Sequence, residues 1–299
     1  MKVLSIHGPG SKAAAWNTWY THMGIALPEA IGDTTHIVDR GQGTWEGGTY
    51  TMDLGIEEDF DIAYIQPFIV PTKRPAPFIY TFVSDYQKVS GALKMKKWIK
   101  DVRPNLVGSL QTIPNEFVEY GKKYGCLVKL IPWFVIEKLP FIEEKEITAM
   151  CTGVIGGSYP NRTQINNYLK NLNRKDVVAV CGKDRTNFSL SNEKYEYLIS
   201  RTKYYMSGGI HNQYIPPKYY EVCNAGACLV SHGMPLMEQC GFIDGKTYIK
   251  INDMNDIKKV LRDSRWQEIG KAGQKMIQDK HTVDVRAKEI VNCLYYQNN

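Results

Sequence analysis

The sequence predicts an α/β protein made of two Rossmann-like halves, each with a mostly parallel sheet. Three observations carry this expectation. Short β-rich runs alternate with segments of helical periodicity along the chain, the pattern of βαβ units. Runs such as DIAYI (61–65) and PFIYTFVSD (77–85) are almost continuously apolar, as expected of strands covered on both faces. A glycine-bearing turn also follows the first strand of each half, HGPG (7–10) in one and IGGSYPNR (155–162) in the other.

The elements follow in order. KVLSI (2–6) is a first strand and HGPGSK a tight loop, after which Trp16, Trp19, Tyr20, Met23 and Leu27 recur at helical spacing. THIVD (35–39), DIAYI and PFIYTFVSD are further strands. LVGSL (106–110) leads to a helix with Pro114 near its start and Gly125 just past its end, the usual asymmetry. CLVKLI (126–131) closes this half, and the proline-bearing, acidic stretch PWFVIEKLPFIEEKE (132–146) marks the boundary. In the second half, AMCTGVIGG (149–157), DVVAVCG (176–182), KYYMS (203–207), ACLVS (227–231) and TYIKI (247–251) read as strands. Ile165, Tyr168, Leu169 and Leu172 mark one helix face between them, and KYEYLIS (194–200) a second helix. Asp253 and Asp256 open a later helix, and Val283, Ala287, Ile290, Val291 and Leu294 stripe the last one. The expected domains are residues 1–140, residues 141–282, and a final helix, 283–299, packing back on the first domain.

Composition narrows the function classes. The 299 residues are 43% hydrophobic, ample for two cores. No apolar run approaches the ~18 residues of a spanning helix. The start, MKVLSIHGPG, reads as a strand and turn rather than a signal peptide. A cytoplasmic protein is expected. The seven cysteines form no CxxC pair and the six histidines no HExxH, so no metal site is expected. Net charge is +6, and the densest basic run is KMKKWIK (94–100). It reads either as a solvated helix face that buries Trp98 or as a surface for a polyanion.

Several residues could carry chemistry. In open α/β sheets ligands lie at the carboxyl ends of the strands, and glycines there let backbone approach a phosphate. Gly8 and Gly10 in one half, and Gly156 and Gly157 in the other, occupy such turns. Neither turn matches GxGxxG or a Walker A loop. Arg162, Lys183 and Arg185 follow strand ends where a diphosphate would sit, although each alone also fits a solvated surface residue. Asp85 ends a strand, and His7 and His211 adjoin glycines; any of the three could serve a site or merely a turn. In YIPPKYYEVCNAGACLVSH (214–232), Pro216 and Pro217 start a short helix at Lys218 and Gly226 ends it. Glu221 is then expected in the first turn, either as an acid compensating the macrodipole or as an acceptor for both hydroxyls of a ribose.

At these residues the chain resembles the GT-B glycosyltransferases, in particular the spore-maturation-protein-like branch related to the family-4-type group. PPKYYEVCNAGACLVS is similar to that family's R-x-F-E-x-x-A-x-G-x-x-L-L segment. TGVIGGSYPNRTQINNYL resembles its donor-domain strand, glycine turn and R-x-x-x-L helix, and HTVDVR (281–286) its H-T-x-x-x-R motif. The resemblance implies two facing Rossmann-like domains with an inter-domain cleft and C-terminal helices crossing back to the first domain. It implies donor binding by Glu221 on the ribose, by Lys218 near the diphosphate, and by Arg162 and the Gly156–Gly157 turn near the nucleotide. Lys183, Arg185 and Gly226 are grouped with them. Gly8, Gly10 and His211 would line the phosphate or acceptor loop. Two departures stand out: Lys218 replaces the family's arginine, and Gln213 replaces a second acid eight residues before Glu221.

The expected activity is transfer of a sugar from a nucleoside-diphosphate sugar, with UDP-sugar as the expected donor and no further cofactor. The resemblance favours retention without a metal. An inverting course would need Asp85 or His7 as base. The acceptor stays open among a hydroxymethylated base in DNA, a surface glycan, a protein and a small molecule, and the oligomeric state stays open too. A nucleotide-sugar epimerase and a nucleotide-sugar-binding protein with a degenerate site are the alternatives.

Overall fold

A six-stranded parallel sheet organises the first of two compact units, which comprises Met1–Pro132 and Val283–Asn299. The structure is a computed structural model, and it describes all residues except 8–19, 39–42, 47–48, 84–88, 158, 183–189, 209–214 and 296–299. The strands of this unit are β1 (Lys2–His7), β2 (Asp33–Val38), β3 (Gly43–Glu46), β4 (Thr49–Met52), β5 (Ile62–Ile65), β6 (Ile69–Pro71), β7 (Phe78–Val83), β8 (Leu106–Ser109) and β9 (Leu127–Leu130). The main sheet runs β2-β1-β5-β7-β8-β9. Its helices begin with a π-helical segment, Tyr20–Ala26, leading directly into α1 (Leu27–Ile31), and continue with α2 (Val89–Val102) and α3 (Asn115–Lys123). The expected helix over 16–27 is thus described only from Tyr20, and its first described turns are π rather than α.

Alternate residues of the central strands share one face of this sheet. Leu4, Ile6, Ala63, Ile65 and Ile79 pack there against Met95, Trp98 and Ile99 of α2. The run KMKKWIK therefore divides as a solvated helix does: Met95, Trp98 and Ile99 are buried, while Lys94, Lys97 and Lys100 are exposed. The Trp98 indole N–H donates to the Ile69 carbonyl (2.6 Å), which satisfies its one polar atom in the core. Sequence periodicity did not foresee β3, β4 and β6, which form a separate three-stranded sheet with β3 and β4 antiparallel and β4 and β6 parallel.

The second unit, Trp133–Thr282, holds a five-stranded parallel sheet. Its strands are β10 (Ile147–Val154), β11 (Val177–Gly182), β12 (Thr202–Ser207), β13 (Cys228–Ser231) and β14 (Ile249–Lys250), in the order β11-β10-β12-β13-β14. Its helices are α4 (Pro160–Asn171), α5 (Asn192–Ser200), α6 (Pro217–Asn224), α7 (Met254–Val260) and α8 (Trp266–Lys280). Ala149, Cys151, Tyr204, Met206, Cys228 and Val230 form the face that packs on Ile165 and Leu169 of α4 and on Ile257, Val260 and Ile269. Asp253 caps α7, its carboxylate accepting from the backbone N–H groups of Asn255 and Asp256. A final helix, α9 (Val283–Tyr295), returns to the first unit and packs on α1. There Lys129 pairs with Glu289 (3.1 Å) and Tyr295 packs on Phe78.

The strand order fixes where each unit can hold a ligand. β11 lies on one side of β10 and β12 on the other, so the order reverses at β10. In the first unit it reverses in the same way at β1. Crossover connections diverge at such a strand and leave a crevice outside its carboxyl end.

Candidate functional site

The carboxyl end of β10 carries two converging cations. Arg162 comes from the first turn of α4, is 5% exposed, and donates from Nη1 to the Val154 carbonyl (2.8 Å). Its guanidinium lies over the Tyr159 ring, 4.4 Å from the centroid. Lys218 comes from α6, and its ammonium donates to Thr152 O (2.9 Å) and Thr152 Oγ1 (3.2 Å). Both heads close over Gly153. A methyl group there would meet Lys218 Nζ at 2.9 Å and Arg162 Nη1 at 3.1 Å. Gly153 also has φ +117°, a conformation side chains disfavour. Beyond this point, among the described residues, nothing lies within 4 Å of where a side chain on Gly156 or Gly157 would project.

Local sequence explains the placement of Lys218 and Glu221. Pro216 is extended (ψ 151°) and Pro217 occupies the first helical position, where its missing N–H costs nothing. The helix therefore starts at Pro217, one residue earlier than expected, and Glu221 is its fifth residue, beyond the first turn. The macrodipole is thus not what compensates the acid. Lys218 precedes Glu221 by three residues, which puts both on one face, while Tyr219, Tyr220, Val222 and Cys223 fill the core. Burial pushes the Glu221 carboxyl up, and the Lys218 ammonium and the Tyr195 hydroxyl draw it back down. Burial, and then Arg162, lower the Lys218 ammonium to about 8.

A polar and aromatic wall backs the cations. The Thr152 and Tyr205 hydroxyls hydrogen-bond at 2.6 Å. The rings of Tyr195 and Tyr205 each lie 5.8 Å from Lys218 Nζ. On the adjoining strands the Cys151 and Cys181 thiols are 3.8 Å apart. The hydrogen bond from Cys151, and then the fields of Lys218 and Arg162, lower the Cys181 thiol. Sequence reading missed Thr152, Gly153, Tyr195 and Tyr205. A lone glycine inside the run CTGVIGG was the available signal, since such a glycine marks a close approach to backbone.

The other expected site residues fall elsewhere. Gly226 lies past the far end of α6, at the amino edge of the sheet. There its φ of +69° makes the turn into β13, and a side chain would strike the Phe141 ring. His7 ends β1 in the first unit and is 1% exposed. Its Nε2 is 2.8 Å from Ser5 Oγ and 3.1 Å from Gly24 O, and its ring packs so closely on Gly24 that a methyl there would overlap it. Gly8, Gly10, Asp85, Lys183, Arg185, His211 and Gln213 lie outside the described residues. Cys223 and Cys228 are fully buried core residues, and all seven cysteines are free. Among the described residues no helix is long and apolar enough to cross a membrane, and no cluster of His, Cys, Asp and Glu could hold a metal ion.

The chain belongs to the glycosyl transferase-like family, which matches residues 136–292, more than half of its length. The fold is that of the GT-B glycosyltransferases, mixed α/β with parallel sheets in Rossmann-like units. An α-glucosyltransferase solved with UDP-glucose and abasic DNA is similar at 10% identity and TM-score 0.58, covering 98% of this chain and 95% of its own. Sucrose-phosphate synthase from Thermosynechococcus elongatus is similar at 14% identity and TM-score 0.55, covering 100% and 99%. Anabaena HepE, solved with UDP and glucose, is similar at 10% identity and TM-score 0.53, covering 99% and 100%. Other matches are longer proteins: the chain spans 54% of TarM and 57% of the pneumococcal O-GlcNAc transferase GtfA. No curated protein matches it.

Proposed function

We propose that this chain transfers a sugar from a nucleoside-diphosphate sugar, with UDP as the nucleotide, to an acceptor hydroxyl. The observation that carries the reading is the convergence of Arg162 and Lys218 over Gly153 at the strand where the sheet order reverses. Cleaving the anomeric C–O bond leaves negative charge on the diphosphate, and two fixed, partly desolvated cations stabilise that charge as it develops. With both supplied by side chains, the reading is metal-independent. Glu221, one helical turn past Lys218, accepts the ribose hydroxyls, which requires its ionised form. The adjacent ammonium favours that form against the effect of burial. The Gly156–Gly157 turn, which no other described residue crowds, admits the nucleotide.

In this reading residues 141–282 hold the donor, and residues 1–140 with the C-terminal segment 283–299 serve the acceptor. The motif resemblance supports the spore-maturation-protein-like branch and a retaining course. Retention asks for no base from the chain, in keeping with the burial of His7. The acceptor we favour is a hydroxymethylated base in DNA, with a surface glycan as the competing class. The net charge of +6 supports the first, as does likeness to a protein solved with DNA.

A panel of nucleotide sugars in a thermal-shift assay tests the donor, since a ligand that binds only the folded state raises Tm by mass action. UDP-sugars are expected to give the largest shifts. Glu221→Ala should abolish most of the shift with little change in the ligand-free Tm. If Glu221→Ala instead unfolds the protein, the acid is structural and the ribose assignment fails. Transfer of labelled sugar to hydroxymethylated DNA, with glycans offered in parallel, then separates the acceptors.

A further inference from the structure

Lys218 stands where the resembling family carries arginine, and its surroundings explain the exchange. An ammonium has three hydrogens. Two are directed at one residue, Thr152, through its carbonyl (2.9 Å) and its hydroxyl (3.2 Å). The Thr152 hydroxyl is itself fixed by Tyr205 Oη at 2.6 Å. The rings of Tyr195 and Tyr205, each 5.8 Å away, wall the ammonium from the side. Gly153 lies beneath it, so close that even a methyl would come within 2.9 Å of Nζ. This slot accepts a compact point charge. A guanidinium is planar and wider, with its donors in a fixed fork, and here it would meet Gly153 backbone, two rings and the neighbouring Arg162.

We propose that Thr152, held by the Tyr205 hydroxyl, is a positioning residue that makes this a lysine-specific phosphate contact, aiming the third ammonium hydrogen at the donor diphosphate. The inference rests on the donor reading above and adds to it that the lysine is required by its slot. Arginine at 218, although it restores the family's residue, should therefore impair the site. Arg162 supplies the planar guanidinium, and Lys218 supplies a charge set by neutral acceptors rather than by a carboxylate.

The test is a double-mutant cycle on UDP binding, measured by calorimetry on the full chain with Lys218→Arg, Thr152→Val and the pair. Thr152→Val keeps the shape of the side chain and removes only the hydroxyl. Lys218→Arg is expected to weaken UDP binding about tenfold, because the fork does not fit. Thr152→Val alone should weaken it several-fold. The double variant should bind no worse than Lys218→Arg, because the hydroxyl that Thr152→Val removes positions only the ammonium, which Lys218→Arg has already taken away. Equal affinity of Lys218→Arg and wild type, or losses that simply multiply, would overturn the proposal.

A second readout needs no ligand. In protein carrying 13C-labelled lysine, the Lys218 titration midpoint should fall in Thr152→Val, since an acceptor for the charged form is gone. An unmoved midpoint would also overturn the slot. Should wild type bind no UDP while the midpoint moves, the slot stands and the donor reading falls.

Discussion

The second unit buries cations at both edges of its sheet, and the two edges use them differently. At the amino edge, Lys145 is 5% exposed and donates to the carbonyls of Ser200 (2.7 Å) and Ala225 (3.2 Å). Those carbonyls close the ends of α5 and α6, where helices leave acceptors unmatched. At the carboxyl edge, Lys218 and Arg162 crowd one another over Gly153, and among the described residues each donates to neutral acceptors of β10. One lysine is consumed by the fold. The other two cations repel each other, and in the proposed reading the donor diphosphate offsets that repulsion. A helix of eight residues, α6, runs between the edges, so one short element ties a structural cation to the proposed donor-binding pair.

The largest expected effect separates the two lysines. Lys218→Met should cost UDP binding on the order of a hundredfold, since a hydrogen bond to a charged group contributes about 1.5–3 kcal/mol. It should change the ligand-free Tm little, because the relieved repulsion with Arg162 offsets the lost bonds to Thr152 and the lost field on Glu221. Lys145→Met should do the reverse, lowering stability by about 2 kcal/mol through two unsatisfied carbonyls while leaving UDP affinity as in wild type. Denaturant melts alongside calorimetry would expose any other pattern. Gly153→Ala is expected to act on both quantities, costing about 1–3 kcal/mol of stability for the forced backbone and displacing Lys218 by contact.

The smallest effect is on pH dependence. Burial lowers both Lys145 and Lys218 to about 8 from an ordinary 10.5. Between those values the unfolded chain holds more protons than the folded one, so the ligand-free protein should gain stability as pH rises through that window. UDP binding should move the opposite way, weakening as pH rises through about 8, because the diphosphate needs the charged ammonium. Affinity that holds steady through that range would show that Lys218 does not touch the diphosphate.

Much of the fold was readable because fully covered parallel strands leave continuous apolar runs, as in IAYI and FIYTFV. The sheet of β3, β4 and β6 was not, because its runs are short and two of them, GTWE and TYTM, mix polar with apolar residues. The Gly47–Gly48 pair between them was the usable signal, a two-residue hairpin cue. Glu221, Lys218 and Arg162 were readable because proline and glycine punctuate their segments. Thr152, Gly153, Tyr195 and Tyr205 were not, because they matter only where β10, α4, α5, α6 and β12 converge, and no local pattern announces that convergence. Glu221 itself was placed one residue too early in its helix, since two prolines leave the first helical residue ambiguous.

The return of α9 to the first unit has a consequence for synthesis. The chain leaves that unit at Pro132 and re-enters it at Val283, with the whole second unit between. On the ribosome, the surface of α1 that α9 covers therefore stays bare until about 150 further residues have been made, several seconds or more at ordinary elongation rates. The second unit, continuous in sequence, can close on its own. The first depends on a late arrival, so a nascent chain halted before Val283 would carry a finished second unit and an unfinished, adhesive first one.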